Sequence, residues 1–267
     1  MPHPMRVSPV RSRIIVASHR TSLVAIGLLG VVLAAWILTV QRMQGMDAGP
    51  GADLGTLGWF LGFWVTMTAA MMLPSTAPAV TLVARLRGAA ASTVFVAGYL
   101  VAWTAYGVAA YGVYRVLEAW APSFLAWDEH GPWVAGGVVI AVGLYQLSPL
   151  KTACLRHCRS PLHFLMHTRP GLTGALRSGA AHGGYCIGCC SGLMLALFAL
   201  GVMSLLWMAV IAAVIVFEKV LPRGEVFARV FATTALALGV WIAVSPGSVP
   251  GLTDPTQMEP TQMEMHR

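Results

Sequence analysis

Apolar positions along this chain gather into long runs separated by short polar segments. The runs fall at Ser22–Val40, Leu57–Val83, Thr93–Val116, Trp133–Leu150, Gly174–Leu200, Met203–Phe217 and Val226–Val244. A hydrocarbon layer of about 30 Å takes about 20 apolar residues in helical form. The pattern therefore predicts an all-α, polytopic transmembrane helix bundle of about seven spans. Three segments follow from it: a basic N-terminus over 1–21, a transmembrane domain over 22–245, and a polar tail over 246–267 that is expected to be disordered.

Composition agrees, with 57% hydrophobic and 10% charged residues, against about a quarter charged in soluble proteins. Arg6, Arg11, Arg13 and Arg20 precede the first run, which is longer than the ~7–15 residues of a secretory signal core. It is expected to remain as a span. In a seven-span arrangement the cations segregate: Arg85 and Arg87, Lys151 to Arg177, and Lys219 to Arg229 share the side of the N-terminus. Arg42, Arg115 and Arg267 fall on the other. The positive-inside rule then places the N-terminus in the cytoplasm and the C-terminus outside. The +7 net charge is thereby topology, and a nucleic-acid partner is not expected.

Candidate chemistry centres on Tyr185-Cys186-Ile187-Gly188-Cys189-Cys190-Ser191-Gly192-Leu193-Met194. In a helix Cys186, Cys189 and Cys190 stand at i, i+3 and i+4 and share one face. His182 lies one turn before them and Met194 one turn after. A single buried cysteine is commonly a small hydrophobe, and glycines 183, 184, 188 and 192 would equally suit a helix-packing seam. Three thiols within five residues fit a coordination pocket. Cys154 and Cys158, with His157 beside the second, form another group at the inner end of the fourth run. A disulfide is not expected there, because cytoplasmic thiols are kept reduced. His163 and His167 follow in the same loop.

Methionines supply softer candidates. Met67 and Met71 share a face of the second span, with Met72 beside them, just before Pro74 and Pro78. The prolines are expected to break or kink that helix. Met43 and Met46 could form an external thioether pair, and the repeated Pro-Thr-Gln-Met-Glu of the tail, followed by Met265 and His266, a weak scavenger. Each also reads as ordinary filler or solvated loop. The aromatic residues of the third span, Tyr99 and Trp103 among them, are expected to serve packing, as is the acidic loop with Glu118, Asp128, Glu129 and His130 to be solvated. Glu218-Lys219 is an ionisable pair at a span end, either functional or snorkelling.

Thiolate and thioether together select Cu(I), whereas thiolate alone also suits zinc. Copper is thus the expected cargo and zinc the lesser candidate. A handover between inner thiols and outer thioethers through several shallow sites would suit passage.

These elements resemble a bacterial family of predicted metal-binding integral membrane proteins, formerly a domain of unknown function, associated with copper supply to enzymes such as tyrosinase. The matching stretches are Trp64–Pro74, Tyr145-Gln146 through Pro149-Leu150-Lys151 to Cys154, Cys158 and Arg159, then Tyr185–Met194, and Gly201 with Met203, Trp207 and Met208. Together they cover roughly Trp59 to Glu225. The family's double cysteine is often followed by tryptophan, where this chain has Ser191. The resemblance implies metal binding, a copper-chaperone-like role, a copper-dependent client enzyme and a place in the bacterial inner (cytoplasmic) membrane; with neither hydrolase nor kinase motifs in the sequence, no enzymatic activity is expected. The rival reading is a membrane thiol-disulfide oxidoreductase shuttling electrons between the two cysteine groups, although such enzymes need an exposed pair on the oxidising side.

Overall fold

The computed structural model describes residues 9–43, 54–120, 131–160, 171–201 and 204–245, with side chains from Thr21 onward. Met46, the 128–130 cluster, His163, His167, Met203 and the 246–267 tail lie outside the described residues. Everything described as regular structure is helical: α1 Pro9–Met43, α2 Leu57–Arg87, α3 Ala89–Trp120, α4 Gly131–Gln146, α5 Pro149–Cys158, α6 Leu172–Leu200, α7 Leu205–Val220 and α8 Gly224–Val244.

Five stretches are long and apolar enough to cross a membrane: Thr21–Met43, α2, α3, α6 and α8. The bent pair α4–α5 makes a sixth if it is one span. The predicted count of seven is therefore not met by length alone. The predicted sixth span is α7, with 16 residues, about 24 Å of helix. The predicted fourth span, Trp133–Leu150, is interrupted: α4 ends at Gln146 and the chain turns by 65° into α5. The cause is local. Pro149 biases Ser148 away from helical geometry, and Ser148, at φ −70° and ψ 147°, caps α5 by accepting a hydrogen bond from the Lys151 amide.

Burial sorts the helices into a centre and a periphery. Phe63, Trp64, Met67, Met71 and Met72 of α2 and Cys186, Cys189, Leu193 and Met194 of α6 are buried. By contrast, α1 exposes Leu23, Ile26, Leu29 and Ile37, an apolar face suited to lipid. The expected break in α2 does not occur, since the helix continues through Pro74 and Pro78. The helix packs against α1, α3 and α7, and the Ser75 and Thr76 hydroxyls donate to the Met72 carbonyl at 2.8 and 2.9 Å. Missing backbone donors are tolerated at such depth where protein surrounds them.

Two contacts set the position of α6. Against α3 it packs backbone to backbone: a Cβ at Gly179 would lie 1.9 Å from the Phe95 carbonyl oxygen, and one at Gly98 2.2 Å from that of Leu176. Toward α7 it turns through Gly201, whose φ of +104° favours glycine. Cys186 lies fourteen residues before Leu200, and Lys219 fourteen after Leu205. The Ser204 amide donates to the Gly201 carbonyl at 3.0 Å, and from the far end of α7 Lys219 reaches Cys186 of α6 at 2.8 Å. Of the four glycines expected to form a seam, Gly183, Gly188 and Gly192 pack closely, against α3, Cys154 and Tyr145, while a Cβ at Gly184 would meet nothing within 4 Å.

Candidate metal centre

Cys186, Cys189 and Cys190 of α6 are almost fully buried, and Cys158 of α5 is buried beside them. The bend before Pro149 swings α5 back onto α6, so a face predicted to sit apart joins the first cysteine group. The Sγ atoms of Cys158, Cys186 and Cys189 all lie within 4.8 Å of one another. Cys189 Sγ is 3.7 Å from Cys158 Sγ and 3.4 Å from Cys190 Sγ. All five cysteines are free thiols. With metal–thiolate bonds of about 2.3 Å, three sulfurs around one ion stand about 4.0 Å apart. The spacing of this trio matches that requirement, so the donor set fits a single soft ion.

Cys158 of the second cysteine group thus joins the first, for a reason invisible in linear spacing: the helix break folds α5 onto α6. Not every candidate joins it. Cys154 is half-buried, its sulfur seated on Gly188, where a Cβ would come within 2.6 Å. His157 stacks on Tyr185, centroids 4.7 Å apart, with Nδ1 at the Ala153 carbonyl. His182 is buried one turn below Cys186 and lies against the rings of Phe95 and Tyr99. Met194 is buried one turn beyond Cys190.

Cys186 is held from two further sides. The Tyr99 hydroxyl of α3 lies 2.9 Å from its sulfur, and Lys219 Nζ of α7 donates to it at 2.8 Å. The same ammonium reaches Ser75 Oγ of α2 at 3.3 Å. Ser75 is three residues beyond Met72 and four beyond Met71, on the same face. Met67, Met71 and Met72 are fully buried, and Lys219 bridges Ser75 of the same helix to Cys186.

Below this layer lies a buried ionic knot. Lys151 Nζ pairs with Glu218 Oε2 at 2.7 Å, Gln146 Nε2 donates to Glu218 Oε1 at 2.9 Å, and Lys151 also donates to Gln146 Oε1. All three side chains are almost fully buried. The knot ties both arms of the α4–α5 bend to the end of α7, fixing where Cys158 stands.

The sequence profile of the PpoB2 family, described as a copper chaperone, matches residues 61–242, more than two thirds of the chain. The chain belongs to the PpoB2 copper chaperone family. No curated protein and no solved structure matches it.

For a PpoB2 copper chaperone the thiol cluster is a chemically apt cargo site, since Cys158, Cys186 and Cys189 lie inside the matched stretch and present soft donors. The resemblance drawn from the motifs is upheld. Reading the sequence missed Tyr99, assigned to packing, and left Lys219 as an undecided span-end charge. Both act across helices, and spacing within one helix gives no sign of such a partner. The one available signal for Lys219 was that an ionisable residue ended an apolar run.

Proposed function

We propose that this PpoB2 chaperone carries Cu(I) as cargo on Cys158, Cys186 and Cys189, and passes it along the methionine face of α2. The observation supporting this reading is the convergence of three buried thiols from two helices within the span of a single ion. Cys190, 3.4 Å from Cys189, offers an exchange ligand. Cys154, His157, His182 and Met194 border the cluster and are available when the ion arrives or leaves. Thioethers bind without losing a proton and hold Cu(I) less tightly than thiolates. Met67, Met71 and Met72 then serve as the weaker station that transfer requires.

In this reading α7 and the bent α4–α5 pair each complete a pass. The chain crosses seven times, with the N-terminus in the cytoplasm and the C-terminus outside, in a bacterial inner membrane. The lysine and arginine asymmetry supports that orientation. The 22–245 region forms the carrier, flanked by the basic 1–21 segment and the methionine-containing tail. The protein acts as a carrier for a copper-dependent client enzyme and performs no reaction of its own.

The test is metal competition on the purified full chain under reducing conditions. Cu(I) is expected to displace zinc and to be lost when Cys186 and Cys189 are replaced by serine. Zinc retained at full occupancy against Cu(I) would refute the proposal.

A further inference from the structure

Soft thiolate donors do not by themselves exclude zinc, which three or four cysteines hold well; a site selective for Cu(I) needs something more. We infer that Lys219 is the specificity-determining residue of the cluster, its positive charge biasing the site toward a monovalent over a divalent ion. The inference rests on the assignment of the thiol cluster as the cargo site.

Three observations carry it. Lys219 Nζ lies 2.8 Å from Cys186 Sγ, and its other hydrogen-bond partner is the Ser75 hydroxyl at 3.3 Å. The ion pairs among the described residues do not include Lys219. Its neighbour Glu218 points along a different face of α7, where Lys151 neutralises it and Gln146 occupies its second oxygen. The ammonium therefore remains a net charge at the edge of a buried cluster.

A metal bonded to Cys186 would stand within about 5 Å of that ammonium, given a bond of about 2.3 Å beyond the 2.8 Å contact. Charge repulsion is linear in the ion's charge, so a dication suffers twice the penalty of Cu(I). At the effective dielectric of such sites the difference corresponds to on the order of a hundredfold in relative affinity. The thiolates attract the dication more strongly than the monocation, and Lys219 offsets part of that advantage. The preference for copper then comes from one fixed charge acting with the softness of sulfur.

The experiment compares wild type, Lys219→Gln and Lys219→Arg, each as the purified full chain in detergent under reducing conditions, with Cu(I) and Zn(II) affinities measured by chelator competition. Lys219→Gln is expected to raise zinc affinity more than Cu(I) affinity, lowering the Cu(I)-over-zinc preference by on the order of a hundredfold. Lys219→Arg keeps the charge and is expected to keep the preference. Unchanged preference in Lys219→Gln with Cu(I) still bound would overturn the inference and leave the site assignment standing. Equal loss in both variants would also overturn it, by showing that side-chain shape rather than charge matters. A wild-type chain that binds no Cu(I) would remove the site assignment and the inference together.

Discussion

At the scale of single residues, Cys186 is touched by the Tyr99 hydroxyl and the Lys219 ammonium while facing Cys158 and Cys189. Groups that orient a metal ligand commonly alter affinity by about 10–100-fold when removed. Tyr99→Phe keeps the ring and loses the hydroxyl, so Cu(I) affinity should fall about tenfold or more with the fold retained. Chelator competition would show it, and an unchanged affinity would reduce Tyr99 to packing. Replacing Met67 and Met71 together by leucine conserves volume and should cost less than about 1.5 kcal/mol. Delivery of copper to a dependent enzyme should nevertheless weaken and be partly restored by added copper. Full delivery in that variant, with loss only when Cys189 and Cys190 become serine, would favour thiol exchange over copper handling. The stripe of Cys186, Cys189 and Cys190 was legible in the sequence because helical spacing alone places them on one face. The entry of Cys158 was not, since it depends on an angle between two helices.

At the scale of elements, the α4–α5 bend does the most to build the site, and the Lys151–Glu218–Gln146 knot holds it. Removing one partner of a buried pair leaves the other charge uncompensated, at a cost of about 3–5 kcal/mol. Lys151→Met should therefore lower thermal stability strongly, whereas Lys151→Met with Glu218→Gln should regain much of the loss. Equal damage from the single and double changes would mean that the pair is not the fastening. The α3–α6 contact gives a second check. Gly179→Ala sets a Cβ 1.9 Å from the Phe95 carbonyl oxygen, while a Cβ at Gly184 meets nothing within 4 Å. Overpacking of this kind costs about 1–3 kcal/mol, so melting in detergent should drop for Gly179→Ala and hold for Gly184→Ala. Apolar runs revealed most helices, and Pro149 marked the bend in principle. Hydropathy alone read through it, because Leu147 and Leu150 continue the apolar run on either side.

At the scale of the whole molecule, the short helices α4 and α7 and the start of α8 converge where Lys219 meets Cys186, while α2, α3 and α6 run on past that level. Cys186 thus stands midway along α6, beside the end of α7. Orientation is testable separately: reporter fusions at Arg13 and Pro255 should show opposite sidedness, and matching sidedness would imply an even number of passes. The central claim is the ligand set, and copper K-edge X-ray absorption of the Cu(I)-loaded protein tests it most directly. A first shell of sulfur alone at about 2.3 Å, lost or reduced in Cys189→Ser, is the predicted result. A shell of nitrogen or oxygen, or a sulfur shell unchanged in Cys158→Ser, Cys186→Ser and Cys189→Ser alike, would contradict it.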